Sequence, residues 1–335
     1  MNRRENVIRS LSRQKPDFLP FNMDFTQLEF EKLVAFTGDP DFIDSTGIHL
    51  HYTQYWGCPT EIPSLPGFFK DEFGVVWNRS GKDKDIGVID HPIINEPDIS
   101  LWRKPVLDEK RLRKEWQDLI DTREDMFTFP GIGFSMFERA WSLCGMEDVL
   151  VYMRQEPEFL HQLLDSICDY NIEIIKMSHE YPFDGFYFGD DWGQQHGLIM
   201  GPELWREFIK PRIKRMYDEV KKTGRFVMQH SCGDIEEIFP DLIEIGLDCY
   251  QTFQPEIYDI KEIKKAFGNN LSFWGGISTQ RLLPFATPEE VYNETKRIIG
   301  VMRVGGGYIA APTHALTPDI PAENVMAMLK AFKEG

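Results

Sequence analysis

From residue 125 onwards the chain repeats one grammar: a short β-rich run, a polar turn, then an amphipathic helix pattern. The runs are DMFTFPGIG (125–133), DGFYFGDDWG (184–193), RFVMQHSCG (225–233), CYQTF (249–253), LSFWGGIS (271–278) and YIAAPTHA (308–315). LPFNMDF (19–25) is expected to be a first strand. Strands that alternate with helices pair in parallel through right-handed crossovers. Most strand starts lie about 20 to 60 residues apart, and several runs are short. That spacing suits a closed (β/α)8 barrel better than an open sheet. No GxGxxG follows the first strand, so a dinucleotide-binding fold lacks its usual support.

The helices carry their own start signals. In TPEEVYNETKRIIGVMR, Thr287 is the expected N-cap, Pro288 takes the first helical position and Glu290 completes a capping box. A helix is also expected from Pro202 to just before Gly224, and Asp234 is expected to cap another that Pro240 disturbs. Residues from about 30 to 115 break the rhythm. They are rich in aromatic residues, proline and glycine, and read as an N-terminal insertion covering one end of the barrel. The expectation is therefore an α/β protein, one TIM-barrel domain over residues 1–335.

Composition narrows the function classes. A formal charge of −17 repels nucleic acid and anionic lipid. The basic cluster IKPRIKRMYDEVKK (209–222) interleaves its charges with apolar residues at helical spacing, as a solvated helix face does. No run approaches the roughly 20 apolar residues a membrane span needs, and the basic N-terminus lacks an apolar signal core. The five cysteines (58, 144, 168, 232 and 249) are odd in number and contain no CxxC pair. A reducing, cytoplasmic setting is expected, with no nucleic acid and no membrane as partners.

The chemistry concentrates at strand ends. In RFVMQHSCG a period of two sends His230 and Cys232 to one face, at the C-terminal end of a strand where barrel enzymes place their sites. Imidazole nitrogen and thiolate sulfur together suit Zn²⁺, which needs at least one further protein ligand. His314, after the last strand, is the expected third ligand; Cys249 is the runner-up but stands at the wrong end of its strand. Asp190 and Asp191 end another strand and point to opposite faces, so one of them is expected to face the pocket as acid or substrate-orienting group. His196, just beyond, reads as a loop residue. Glu138 and Arg139 read most simply as an ion pair in the first turn of a helix, with Glu138 a further catalytic candidate. Phe134, Phe137 and Trp141 read first as core residues, Phe134 also as a candidate substrate contact. Tyr187, Gln251 and Asp24 are the other candidate substrate-binding residues. HExxH, P-loop, GxSxG and kinase signatures are absent.

Several segments carry a family likeness: DEFGVVWNR, FERAWSLCGMEDVL, GDDWGQQHGLIMGPELWREFIKP, HSCGDIEEIFPDLIEIGLD, FWGGISTQRLLPFATPEEV and GGGYIAAPTHALTPDIPAENV. In that order, from about residue 70 to the end, they resemble the uroporphyrinogen decarboxylase superfamily. The resemblance implies a single (β/α)8 barrel with its cleft at the C-terminal end. True porphyrinogen decarboxylases carry an arginine-rich MRQAGR-type motif on the first strand. Here the stretch is FNMDFTQLEF, which contains no arginine and places Asp24 where cationic clamps belong. HSCG instead resembles the zinc-binding HxC of the methyltransferase branch, which works with corrinoid proteins. Several of those enzymes take a cysteine near the last strand as third ligand. This chain has APTHAL there, so His314 either replaces that cysteine or matches a non-metal histidine of the decarboxylases. FERAW and GDDWG look nearest to demethylases of methoxylated aromatics. No corrinoid-binding DxHxxG occurs in the chain, so the resemblance implies a separate corrinoid protein as partner.

The expected function is thus zinc-dependent transfer of a methyl group between a small methylated substrate and that corrinoid protein. Two alternatives stand beside it. One is a metal-free decarboxylase or lyase using Asp24 or Asp190; the other is a non-catalytic barrel that binds a small molecule.

Overall fold

A computed structural model describes residues 1–81 and 87–335, so residues 82–86 of the irregular region lie outside the described residues. Its strands are β1 (Leu50–Tyr55), β2 (Thr60–Glu61), β3 (Phe68–Lys70), β4 (Val76–Asn78), β5 (Val88–Ile89), β6 (Phe127–Ile132), β7 (Gly185–Gly189), β8 (Phe226–His230), β9 (Cys249–Phe253), β10 (Ser272–Ile277) and β11 (Tyr308–Pro312). Seven of them form one parallel sheet in the order β1-β6-β7-β8-β9-β10-β11. Short antiparallel strands β2 to β5 form a separate four-stranded sheet. Helices follow most of the parallel strands, and β6, β7, β9, β10 and β11 are buried along their whole length, as strands covered on both faces must be.

Two sequence expectations change here. The sheet begins at Leu50–Tyr55, inside the region read as an irregular insertion. The segment expected as the first strand, residues 19–25, makes only isolated bridges, Phe21 to Ala310 and Phe25 to Leu316. It nevertheless reaches both edges of the sheet. Asn22 N–H donates to Ala310 O (3.0 Å) on β11, and His49 N–H, just before β1, donates to Phe21 O (3.0 Å).

Side-chain parity sorts the core into two layers. Leu50, Phe127, Phe129, Tyr187, Met228, Cys249, Trp274, Ile309 and Ala311 form one buried cluster inside the curl of the sheet. Residues two apart on a strand share a face, so Leu50 and Tyr52, or Phe127 and Phe129, enter together. Tyr52 stacks on Phe129 with centroids 4.8 Å apart and lies edge-on to Trp274 at 5.9 Å. The opposite parity packs against the helices. At the N-terminal ends of the strands, the helix Arg3–Leu11 inserts Val7 and Leu11 into the inner cluster. It is tied there by Gly307 N–H to Ser10 O (2.8 Å) and Arg4 N–H to Asp125 O (2.7 Å). That end is covered, which leaves chemistry to the C-terminal ends.

The caps behave as their side chains dictate. Thr287 and Glu290 form the capping box at the start of Pro288–Met302. The stretch after Pro202 is a short α-turn Gly201–Leu204, a π-helical segment Trp205–Ile209, then Lys210–Lys221. Asp234 caps no α-helix: its carboxylate accepts from Glu236 N–H (3.1 Å), while the N-cap of the 3₁₀ turn Glu236–Ile238 is Ile235. The cations of 209–222 meet acids of neighbouring helices: Lys210 with Asp241 (2.7 Å), Arg212 with Asp165 (3.0 Å), Arg215 with Asp169 (2.5 Å). No described helix is long and apolar enough to cross a membrane.

Candidate metal centre

The inner parity of β7, β8 and β9 continues past the sheet. Met228 is followed two residues on by His230, Cys249 by Gln251, and Tyr187, through Gly189, by Asp191. The loops after β7 and β8 then close on one another. Gly193 N–H donates to Cys232 O (3.2 Å) and Asp190 N–H to His230 O (3.2 Å). The contact is backbone to backbone: a Cβ on Gly233, whose φ is +79°, would fall 2.2 Å from the Gly193 carbonyl carbon. Only glycine combines that left-handed backbone with that approach.

This brings Asp191, His230 and Cys232 together, with one donor atom from each within 4.8 Å of the others. His230 Nε2 lies 3.2 Å from Asp191 Oδ1 and 3.5 Å from Cys232 Sγ. The other ring nitrogen, Nδ1, makes a short hydrogen bond to Gln251 Oε1, which also accepts from the Tyr187 hydroxyl (3.0 Å). A histidine whose Nδ1–H is held by a carbonyl presents Nε2 as its free lone pair, the usual outer support of a metal ligand. Asp191 Oδ1 also accepts from Cys232 N–H (2.8 Å). Zinc bonds of about 2.0–2.3 Å in a tetrahedron separate neighbouring donors by roughly 3.3–3.8 Å. The two spacings of 3.2 and 3.5 Å, and the nitrogen, sulfur and oxygen donor set, therefore fit such an ion.

Electrostatics agree with a site built to hold positive charge. Burial alone would lower the His230 imidazole, but Tyr187, the Cys232 sulfur and the Asp191 carboxylate outweigh it and raise it well above the ordinary histidine range. Burial would raise Asp191, yet His230 and the Cys232 amide hold it down at about 2.

The remaining sequence candidates divide by position. His314 was expected as the third donor. Its ring centroid lies 6.4 Å from that of His230, outside the three-donor group, and it is exposed at the rim. Cys249 is buried in the inner core, with its thiol pushed up by burial. Asp190 points outward, as parity requires. Its carboxylate is buried and accepts from the N–H groups of Phe137 (2.9 Å) and Glu138 (2.8 Å) and from Trp192 Nε1 (2.5 Å). Burial pushes it up to about 6. It anchors the positive end of the helix Phe137–Cys144 rather than facing the cleft.

Glu138 and Arg139 do not pair with each other. Arg139 is buried against Asp71 (2.8 Å), with its guanidinium 3.9 Å over the Phe73 ring. Glu138 turns toward the cluster. Burial first, then the charges of Asp191 and Asp190, raise its carboxyl well above the ordinary range, and the Asp191 amide donates to it. Asp24 is buried far enough to be raised as well; it bonds Asn22 Nδ2 (3.3 Å) and Tyr52, and with them lines a cavity of about 590 Å³. Phe134 lines a different cavity, of about 490 Å³, with Trp56 and Trp77. Sequence reasoning missed Asp71, which is 68 residues from Arg139, and did not choose Asp191 over Asp190 for the donor group, although Asp191 shares the strand parity of Tyr187.

A curled parallel sheet that gathers nitrogen, sulfur and carboxylate donors at its strand C-termini defines a class: α/β enzymes with chemistry at the mouth of the sheet. Residues 79–335 match the uroporphyrinogen decarboxylase (URO-D) family, and the chain belongs to it. Relatives include a methylated-thiol–coenzyme M methyltransferase of Methanosarcina mazei, 25% identical over 198 residues, covering 59% of this chain and 51% of that protein. A methylcobamide:CoM methyltransferase of Methanosarcina barkeri is 26% identical over 136 residues, 41% of this chain and 38% of its own. A uroporphyrinogen decarboxylase of Pseudoalteromonas translucida is 25% identical over 187 residues, 53% and 49% respectively. The chain spans about half the length, or less, of these curated relatives. A solved methyltransferase from Methanosarcina mazei shares the fold, with a TM-score of 0.73 at 18% identity over 100% of this chain and 99% of that one.

Proposed function

We propose that this protein is a zinc-dependent methyltransferase that moves a methyl group between a small methylated substrate and a separate corrinoid protein. The observation that carries the reading is the Asp191–His230–Cys232 group, whose donor spacing fits a tetrahedral ion. In this reading residues 1–335 are one (β/α)8 domain, with residues 19–25 completing the ring and the four-stranded sheet covering part of its mouth. The protein works in the cytoplasm.

His230, Cys232 and Asp191 would hold the ion, and His314 stands beside them, its ring centroid 6.4 Å from that of His230. When bound, zinc supplies a Lewis acid for the oxygen or sulfur that gives up or receives the methyl group. Gln251 and Tyr187 fix the His230 ring so that Nε2 stays aimed inward. Burial and the charges of Asp191 and Asp190 raise the Glu138 carboxyl well above the ordinary range, which suits it to hand a proton to the leaving atom, a general-acid role. Asp190 positions Glu138 by holding the start of its helix. Tyr52, Tyr187 and Trp274 floor the mouth with apolar surface that keeps water from the reacting atoms.

A second reading, a metal-free carboxy-lyase, draws on the decarboxylase relatives and on Asp24, whose buried carboxyl is raised next to Tyr52. Methyl transfer from methylated substrates to a reduced corrinoid protein, assayed before and after chelation, separates the two. The methyltransferase reading expects turnover that chelation abolishes and zinc restores. Substrate decarboxylation that survives chelation, with no methyl transfer, would overturn it.

A further inference from the structure

The cavity of about 590 Å³ beside Asp24 lies at the seam of the sheet, between residues 22–25 and β1. Its polar side chains are fixed by the fold. Asn22 N–H donates to Ala310 O (3.0 Å) on β11, which ties the segment to one edge of the sheet. Tyr52, on β1, stacks on Phe129 at 4.8 Å, and its hydroxyl donates to the Asp24 carboxylate. Asn22 Nδ2 stands 3.3 Å from each oxygen of the same carboxylate. Residues two apart on an extended segment share a face, so Asn22 and Asp24 enter the cavity together.

Two observations point to a ligand. Asn22 is 1% exposed, and its Oδ1 has no hydrogen-bond donor among the described residues. Turning the amide over would set that oxygen against the Asp24 carboxylate, so its role as an acceptor is fixed. Buried polar atoms are paired as a rule, and an orphan of this kind calls for a partner. The second observation is the charge of the lining. Asp24 is half-buried and its partners, Asn22 and Tyr52, are both neutral. No lysine or arginine lines the cavity among the described residues, and its one histidine, His51, is bonded through Nε2 to Thr122 Oγ1 (3.0 Å). The carboxylate therefore keeps both spare lone pairs and its charge for a cation. Phe30 and Ile43 give the same cavity an apolar wall.

We propose that this cavity binds a small protonated amine, whose ammonium group donates to the Asp24 carboxylate and to Asn22 Oδ1 while its carbon chain lies against Phe30 and Ile43. An ammonium group carries several N–H donors and no acceptor, and here it meets two acceptor groups and one negative charge. An alcohol has a single O–H and would leave one of those acceptors alone. A divalent hard cation takes about six or more oxygens, which is more than these side chains supply. The volume falls within the roughly 300–1,000 Å³ of small-molecule sites. The assignment stands on this cavity alone, whether or not the donor cluster holds zinc or a methyl group is transferred.

Isothermal titration calorimetry of the full chain with n-butylammonium at neutral pH tests it. 1-Butanol probes the charge, and butyltrimethylammonium keeps the charge without the N–H donors. Asp24→Asn removes the negative charge at nearly constant shape, and Asn22→Ala removes the orphan oxygen. The expected result is saturable butylammonium binding that weakens about tenfold or more for either probe and in either variant, and that Cys232→Ser leaves within about twofold. No saturable binding at several millimolar butylammonium would overturn the proposal. Binding that either folded variant weakens by less than about tenfold would also overturn it. Butyltrimethylammonium binding as tight as butylammonium would do the same, since aromatic faces rather than the two acceptors would then hold the charge. Loss of binding in Cys232→Ser would place the amine on the donor cluster and overturn it as well. If Asn22→Ala does not fold, Asp24→Asn and the two probes on the wild-type chain still decide.

Discussion

Glu138 shows how local geometry assigns roles that residue type alone leaves open. Its neighbour Arg139 faces Asp71 on the other side of the helix, so nothing neutralises Glu138 from within its own turn. Burial first, then the charges of Asp191 and Asp190, raise the carboxyl well above the ordinary range. Glu138→Gln preserves shape and the hydrogen bond from the Asp191 amide but removes the proton. It is expected to lower kcat by about 10²–10⁴-fold with KM and zinc content little changed. Undiminished turnover would show that the proton comes from elsewhere. Some of this was legible beforehand. Parity put His230, Cys232, Tyr187 and Gln251 on one face and separated Asp190 from Asp191. The reading left open which aspartate belonged inside, although Asp191 shares the parity of Tyr187, which lies in the inner cluster.

At the level of elements, the loops after β7 and β8 form the cradle, and their contact depends on Gly193 and Gly233. Gly233→Ala adds a Cβ 2.2 Å from the Gly193 carbonyl carbon at a φ of +79°, so one loop must move. That displaces Cys232 and should cost metal affinity about 10–100-fold, read by competition with a chromogenic chelator, while circular dichroism stays native. Unchanged affinity would mean that the cradle tolerates the shift. The same scale explains what the sequence concealed. LHYTQY carries polar residues at three of its four half-buried positions, His51, Thr53 and Gln54, so it read as part of an irregular stretch. Its place in the sheet follows from Tyr52 stacking on Phe129, a partner 77 residues away that no local pattern reveals. The contacts of Asp71, Trp56 and Trp77 are hidden for the same reason.

For the whole molecule, the seam between β1 and β11 sets the response to acid. His49 is 3% exposed there, with Nδ1 3.2 Å from Phe21 N and 3.1 Å from Phe21 O. Burial lowers it to about 4. Between the ordinary histidine value and about 4 the unfolded chain binds a proton that the folded chain refuses. Stability is therefore complete above that window and falls as pH drops through it, by at most about 3 kcal/mol. Urea unfolding at pH 7 and 4.5 should show wild type losing more stability than His49→Asn; equal losses would place the acid sensitivity elsewhere. The alternation of strands and helices announced the parallel sheet, whereas the joining of its edges by residues 19–25 rests on isolated bridges that carry no sequence signature. The sheet, its seam and its loops bear on the proposed function through one group, Asp191, His230 and Cys232, where zinc is proposed to bind. Elemental mass spectrometry of protein reconstituted with zinc and dialysed tests this most directly. The account predicts about one zinc per chain in wild type and almost none in Cys232→Ser. A wild-type protein that retains no zinc, or a Cys232→Ser protein that retains all of it, would contradict the account.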